Sequence, residues 1–393
     1  MAKKSVLIIV PFSALPKSTG GRQRVWHTIF HLHKHFNLTI WSFPANEAEA
    51  LMEKSWFRKI GVNYRHFSLG SHSWLSLLLK FQPFWFGPWW NKAIIMHLKS
   101  IQVGDFDHVQ VEGTQLLYLA KHLPNDISNS YVAYDVSFVS FQRRLQNENN
   151  PLKRAAHTLR LFEIYLFEKF YIPLFDRVVA VSKTDSDYLS NHFGINNIKV
   201  IPNGIESLNF LQAPPKSKVI RMGYIGGFTH PPNLEAVRFA IQQILPEMEN
   251  NCISYELILC GEQDPQLIDS LVQDCIIVKG NIRVLGLVQH LEEFYSRIDF
   301  LLAPIFSGSG TRIKILESLS FGRPVLTTNI GAEGLGIDSP YLKKVSSLDE
   351  KDPVAWRKGI LSMKYATRTK LDERSLEADL KKFLWGNVLR HAL

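Results

Sequence analysis

Short apolar runs alternate along this chain with stretches of helical spacing. Val6–Val10 is a β-rich run closed by Pro11, and Pro16–Gly21 is turn-forming. Val25, Ile29, Leu32 and Phe36 then recur at helical spacing before a second β-rich run, Leu38–Phe43. Strand, glycine turn, helix and strand in that order make a βαβ unit, which requires a parallel sheet. Further strands are expected at Asp107–Val111, Ser130–Tyr134 and Arg177–Val181, with a strongly apolar-faced helix from about Leu152 to Tyr171.

Pro202-Asn203-Gly204 and Ala213–Ser217 form a breaker-rich patch near the middle, after which the pattern restarts. Val219–Ile225 reads as a strand, Gly226-Gly227 as a turn, Asn233–Ile244 as a helix and Tyr255–Cys260 as a strand closed by Gly261. Ile282–Leu285, Phe300–Pro304 and Pro324–Thr327 continue the strands, with helices at Leu291–Arg297 and Ile313–Phe321. The pattern predicts two Rossmann-like, doubly wound α/β domains facing a central cleft, residues 1–212 and 213–375. A C-terminal helix, 376–393, is expected to pack back on the first domain.

Composition narrows the class. With 393 residues the chain is too long for one core, and 46% apolar against 21% charged is a globular balance. Cys252, Cys260 and Cys275 are too few for a disulfide framework and lack metal spacing, which points to a reducing cytoplasm. No run of about 20 apolar residues is present to span a bilayer. The first apolar run is too short for a signal peptide, and no small-residue cleavage site follows it. The net charge of +9 is uneven: residues 1–215 hold 23 Lys and Arg against 15 Asp and Glu, the remainder 22 against 21. An anionic membrane or polyanion would meet the first half. No nucleic-acid module is present.

The densest chemistry lies in Pro304–Gly334. The chain leaves a strand, crosses Gly308-Ser309-Gly310 and enters a helix near Thr311–Ile313. Exposed backbone N–H groups and a helix N-terminus there make an anion site. Arg312 and Lys314 put full positive charge in the first helical turn, where the macrodipole disfavours it; a diphosphate would offset that cost. Facing water is the alternative for both. Glu317, three residues beyond Lys314, could accept from a ribose diol or pair with Lys314.

This run resembles the C-terminal signature of the retaining GT-B glycosyltransferases of family four, especially a bacterial polysaccharide-associated branch. Other segments resemble the same family in the same order: Gly20-Gly21 with Arg22 and Arg24, Val179–Ser182, Ile201–Ile205, and Gly223–Gly227 followed by Pro232-Asn233. The resemblance implies a nucleotide-diphosphate sugar on the C-terminal domain. Gly226, Gly227, Ser309, Gly310 and Thr311 would lie along it, Arg312 and Lys314 would neutralise the phosphates, and Glu317 would hold the ribose. Gly20 and Gly21 would cap the phosphate end. No cofactor or metal is implied.

Two departures bear on the sugar. Family members often carry a glutamate eight positions before the second one; here Ser309 stands there. An Arg and a Lys often follow the first C-domain glycines, where this chain has Thr229-His230-Pro231. On the acceptor side, Asp135 stands where relatives show Asp-x-His, and is the candidate polar group at the reacting carbon or else a turn cap. Glu112 and Arg24 are further acceptor-side candidates. Trp74–Lys92 holds four of nine tryptophans, Trp74, Trp85, Trp89 and Trp90. Trp85 and Trp89 could stack on a glycan or seat a lipid-linked acceptor at a membrane face, or simply pack in the core. His27, His31, His33 and His35 read as a polar face of the first helix, since nothing nearby completes a metal site. An epimerase of the same architecture and an inactive nucleotide-sugar-binding partner are the alternatives. A dehydrogenase is disfavoured because no G-x-G-x-x-G follows the first strand.

Overall fold

The structure, a computed structural model, describes residues 3–70, 84–146, 150–215, 217–228, 230–262, 269–271, 281–345, 349–365 and 369–390. Trp74, Thr229 and Cys275, and the side chain of Trp85, lie outside the described residues. The chain forms two compact units. The first takes Met1–Pro202 with Gly308–Gly310 and Leu389–Leu393; the second takes Asn203–Ser307 with Thr311–Val388.

The first unit carries a seven-stranded, all-parallel sheet: β1 (Ser5–Ile9), β2 (Asn37–Ser42), β3 (Asn63–His66), β4 (His108–Glu112), β5 (Ser128–Val132), β6 (Arg177–Ala180) and β7 (Ile198–Val200). Its order is β3-β2-β1-β4-β5-β6-β7, with Val6 opposite both Leu38 and His108. The helices are α1 (Gly20–Leu32), α2 (Glu47–Lys59), α3 (Lys92–Lys99), α4 (Ser137–Gln146), α5 (Pro151–Tyr171) and α6 (Lys183–Phe193). Val6, Leu7, Ile8 and Ile9 are all buried, so β1 is covered on both faces and shows a continuous apolar run instead of alternation.

The second unit repeats the plan with β8 (Ile220–Ile225), β9 (Tyr255–Cys260), β10 (Ile282–Gly286), β11 (Phe300–Ala303), β12 (Val325–Thr327) and β13 (Leu342–Lys344), all parallel, in the order β10-β9-β8-β11-β12-β13. Its longer helices are α7 (Pro231–Phe239), α8 (Ile313–Ser320), α9 (Pro353–Tyr365) and α10 (Lys370–Lys381). Two cores sandwich the sheet. Leu257 and Leu259 pack with Val237, Ile241 and Trp356, while Ile258 and Cys260 pack with Ile315, Leu319, Leu376 and Leu380. Alternate residues of one strand thus feed opposite helical layers.

Residues 203–212 join the second unit, earlier than the boundary expected after 212. Asn209 and Leu211 donate backbone N–H groups to Ser320 and Phe321, Arg323 donates to the Gln212 carbonyl at 2.6 Å, and Ile205 bridges to Leu384. The terminal segment also divides. α10 and Trp385–Val388 belong to the second unit, and only the chain from Leu389 groups with the first.

Both sheets reverse their strand order between an inner pair, β1/β4 and β8/β11. In open parallel sheets the loops leaving these strands diverge to opposite faces, opening a crevice at their carboxyl ends. The glycine pairs and the Arg312–Lys314 segment read from the sequence lie on these loops.

Candidate functional site

In the second unit, Gly226 and Gly261 follow the last residues of β8 and β9. The two backbones approach so closely that a Cβ on Gly261, which has φ +132°, would sit 2.1 Å from the Gly226 carbonyl oxygen. A Cβ on Gly226, φ +153°, would lie 2.9 Å from Lys314 Nζ and 2.8 Å from Asn233 Nδ2. Only glycine leaves room for this approach of strand end, amide and amine.

Lys314 reaches this point from the first turn of α8. Its Nζ donates to Asn233 Oδ1 at 2.7 Å and to the Tyr224 hydroxyl at 2.9 Å, and stands 4.2 Å from the Tyr224 ring centroid. Tyr224 donates in turn to Asn233 Oδ1 at 3.0 Å, and Asn233 Nδ2 donates to the Gly227 carbonyl at 2.8 Å. Among the described residues no carboxylate forms an ion pair with this amine. Burial, with the charge of Arg312 second, pushes its pKa down to about 7, and Glu317 opposes them. The water-facing alternative therefore fails for Lys314.

Arg312 occupies the N-cap position of α8 in extended backbone (φ −88°, ψ 102°) and offers no capping side chain. Its Nη2 lies 3.5 Å from the Ser307 carbonyl oxygen. Ser307 donates to Glu235 on α7 at 3.2 Å, and Lys351 approaches the same carboxylate at 3.9 Å. Glu317 is half-buried, and its charge is felt by Tyr295 and Cys260, at the end of β9. Two cations, a helix start, a glycine-flattened strand end and one carboxylate thus gather at the β8/β11 switch point. Such a set of groups is chemically suited to an anion beside a diol.

Ser309 and Gly310 group with the first unit. The Val136 N–H donates to Ser309 Oγ at 2.9 Å, and Arg143 donates to the Gly308 carbonyl at 2.6 Å. A Cβ on Gly310, φ +77°, would meet Val181 at 2.7 Å. The Ser309 hydroxyl thus satisfies a backbone group just ahead of α4. Thr311, buried in the second unit, accepts from the Asn203 N–H at 3.0 Å.

The first unit's switch point carries Gly20 and Gly21, which already form the first turn of α1. Thr19 is the N-cap and accepts from the Arg22 N–H. Arg22 donates to the Leu15 carbonyl at 2.9 Å and pairs with Glu49 of α2 at 2.7 Å. The preceding loop is pinned from beneath by Glu53, fully buried, which accepts from the Ala14 N–H at 2.6 Å, Ser42 at 2.7 Å and Tyr64 at 2.9 Å. No sequence signal singled out Glu53, because a lone carboxylate on an amphipathic helix looks like any surface residue.

Three acceptor-side expectations change. Arg24 and Glu112 are 3% and 1% exposed. Arg24 donates to the Ile201 and Pro202 carbonyls at 2.9 and 3.0 Å. Glu112 accepts from Gln110 at 2.6 Å and Tyr134 at 2.7 Å, and burial raises its pKa against the charge of Arg24. Each feels the other's charge in the interior, where both line a small cavity with Thr28, Gln110 and Ile201. Asp135 accepts from Ser137 at 3.3 Å and Ser140 at 2.7 Å, which turns the chain into α4, so the capping alternative describes its contacts. Trp89 is half-buried, packs on the first core and donates Nε1 to the Pro11 carbonyl at 2.6 Å; Trp90 packs on Tyr118. His27 is not on a polar face: it is buried, with its pKa pushed down to about 3 by burial, then by Lys17 and His31. Among the described residues no group of three or more His, Cys, Asp or Glu could hold a metal ion.

Two family models match the chain, one described as glycosyltransferase family 4 over residues 76–207 and one as glycosyl transferases group 1 over 220–362. A curated relative, an uncharacterized 44.6 kDa protein in the cps region of Klebsiella pneumoniae, is 20% identical over 244 residues, which span 59% of each chain. Three solved structures share the fold. The pneumococcal O-GlcNAc transferase GtfA in complex with UDP and GlcNAc matches with TM-score 0.66 and 11% identity, over 99% of this chain and 98% of that one. HepE from Anabaena, in complex with UDP and glucose, matches with TM-score 0.65 and 12% identity, over 98% and 97%. The lipopolysaccharide outer core galactosyltransferase WaaB matches with TM-score 0.62 and 13% identity, over 99% and 98%. With one model on each parallel-sheet α/β domain, the chain belongs to the family 4, group 1 glycosyltransferases, of GT-B fold.

Proposed function

We propose that this transferase takes a sugar from a nucleotide-diphosphate sugar and passes it, with retention, to a polysaccharide, glycan or lipid-linked acceptor. One observation carries the donor assignment: the buried Lys314 amine, held by two neutral oxygens with Arg312 as a neighbouring cation at the β8/β11 switch point. A pyrophosphate supplies the missing negative charge, and the α8 N-terminus adds backbone donors. Glu317 accepts from the ribose hydroxyls, and Gly226 and Gly227 let the phosphates approach β8. The UDP-bound HepE and GtfA structures support a nucleotide ligand.

As the sugar–phosphate bond breaks, charge grows on the departing diphosphate, and Lys314 and Arg312 stabilise it where it develops. The departing phosphate oxygen takes the acceptor proton, so no protein base is required and no metal has to share the charge. The basic first half fits peripheral contact with an anionic membrane on the cytoplasmic side.

Titration of UDP, GDP and dTDP and their sugars against the wild type, Arg312→Ala and Lys314→Ala tests this. At least one nucleotide should bind the wild type and lose about tenfold or more in each variant, as expected for a charged phosphate contact. Equal binding by all three proteins overturns the donor site. Ser309 favours one second reading, an inactive nucleotide-sugar-binding partner, because a hydroxyl engaged by Val136 stands where the family has a sugar-contacting glutamate. That partner would bind the nucleotide without transfer or slow donor hydrolysis.

A further inference from the structure

We infer that Glu235 receives the hydroxyls of the transferred sugar, on the flank of the diphosphate pocket away from Glu317. The role rests on the donor reading above and gives it a sugar subsite. Glu235 lies on α7, two residues after the Asn233 that holds Lys314. Its Oε2 accepts from Ser307 Oγ at 3.2 Å, and Lys351 Nζ stands 3.9 Å from Oε1. Ser307 is 2% exposed, whereas the Glu235 side chain is 30% exposed, so a buried hydroxyl fixes a carboxylate that still reaches solvent.

Most of its hydrogen-bonding capacity is unspent. An ionised carboxylate has about four acceptor sites, of which Ser307 fills one. Lys351 is half-exposed and stands at the limit of ion-pair distance, where such a contact contributes little. Among the described residues no other hydrogen bond or ion pair reaches Glu235.

Its charge is also misplaced for a pocket that binds phosphate alone. Arg312, Lys314 and the start of α8 collect positive charge at the β8/β11 point. Yet the Tyr224 hydroxyl there, raised in pKa by burial, feels the charge of Glu235 as well as that of Arg312. A carboxylate this near repels a diphosphate. It costs affinity unless the ligand also brings donors for it, and the hydroxyls of a sugar are such donors.

Sheet order selects which hydroxyls. The strands run β10-β9-β8-β11-β12-β13. The charge of Glu317 is felt at Cys260, the end of β9, on one flank of the β8/β11 point. Glu235 is tied to Ser307, just past β11, and approached by Lys351, past β13, on the other flank. The two organic halves of a nucleotide-diphosphate sugar leave the diphosphate from opposite phosphorus atoms. With the ribose at Glu317 and the phosphates at Lys314 and Arg312, the sugar falls on the Glu235 flank. Other polar groups near this loop are engaged. Ser309 accepts from the Val136 N–H, Thr311 from the Asn203 N–H, and the Glu350 carboxylate from the Asn329 N–H at 2.5 Å. A vicinal diol on a hexose offers two donors at the spacing of one carboxylate.

Calorimetric titration of UDP, GDP and dTDP, each alone and as its hexose conjugate, against wild type and Glu235→Ala separates the two halves of the ligand. The free nucleotide that binds should bind Glu235→Ala as tightly as wild type or slightly better, because a repelling charge has gone. Its hexose conjugate should bind the variant about tenfold or more weakly. Glu235→Gln, which keeps one acceptor oxygen, should recover part of that loss, and it carries the same comparison if Glu235→Ala melts early. Monodeoxyhexose conjugates of the same base complete a double-mutant cycle. At least one should bind wild type about tenfold more weakly than the full hexose conjugate, with no such difference in Glu235→Ala. A hexose conjugate that binds both proteins alike, an equal loss for free nucleotide and conjugate, or losses that simply add in the cycle overturn the sugar contact and leave the diphosphate site standing. Wild type that binds none of the three nucleotides overturns the donor reading and this contact with it.

Discussion

Lys314 concentrates the electrostatic argument at the residue scale. With its pKa near 7, the amine of the unliganded fold is largely neutral at pH 8.5, whereas the unfolded chain keeps the proton up to about 10.4. Between those values the unfolded state binds more protons, so stability rises with pH and the rise is absent below about 7. Lys314→Met should flatten this slope in melts from pH 7 to 10. A diphosphate needs the ammonium form, so nucleotide affinity should weaken above pH 7, by up to about tenfold per unit, with proton uptake visible by calorimetry in two buffers. Arg312→Ala should lower turnover at least about tenfold, since one charge-assisted phosphate contact is worth about 1.5–3 kcal/mol. Wild-type turnover in that variant would remove Arg312 from the reaction. The sequence marked both cations through their place at a helix start, but not their difference. Tyr224 and Asn233, which bury Lys314, lie about 80–90 positions away, and no local pattern reports a contact at that distance.

Among elements, the inner strands were legible, and so was the edge strand β10, whereas the edge strands β3, β7 and β13 were not. β1, β8, β9 and β11 are largely buried and announce themselves as mostly apolar runs, whereas β4, His-Val-Gln-Val-Glu, is as buried but alternates polar with apolar residues. β3 (Asn-Tyr-Arg-His), β7 and β13 are short, half-exposed and polar, so neither a run nor an alternation distinguishes them from loops. α1 begins at Gly20, inside the stretch read as turn-forming, because Thr19 caps it, a stronger start signal than the glycine pair is a stop. Two elements make further tests. Gly261→Ala forces a Cβ against the Gly226 carbonyl at a φ that side chains rarely adopt, and should cost several kcal/mol by chemical denaturation along with nucleotide binding. α4 begins on the Glu168 carboxyl, which accepts from the Ser137 and Phe138 N–H groups at 2.9 and 3.2 Å and has its pKa raised to about 8, chiefly by burial. The native state therefore binds the extra proton between about pH 4.5 and 8, and stability from this group falls as pH rises through that window. Glu168→Gln should remove this fall in melts across the window; an unchanged profile would show that Glu168 is not its source.

For the whole molecule, the restart of the pattern after the proline-rich middle conveyed the two-domain plan, and the common strand order of the two sheets accounts for it. Boundary and acceptor side were less legible. Residues 203–212 look like linker but form hydrogen bonds to the second unit, and Arg24 and Glu112 look like ligand contacts but are buried in the interior, each within reach of the other's charge. A matched nucleotide should stabilise the protein by about 2.7 kcal/mol at a hundredfold excess over Kd, which makes a thermal-shift panel the quickest reading of the base. The parallel pairing throughout both sheets has one further consequence. No strand of either sheet can meet its neighbour through a tight hairpin, so every pairing waits on the closure of an intervening crossover. Refolding from denaturant should therefore be slow and its yield should decline with protein concentration, while half-built sheets still present open edges to one another.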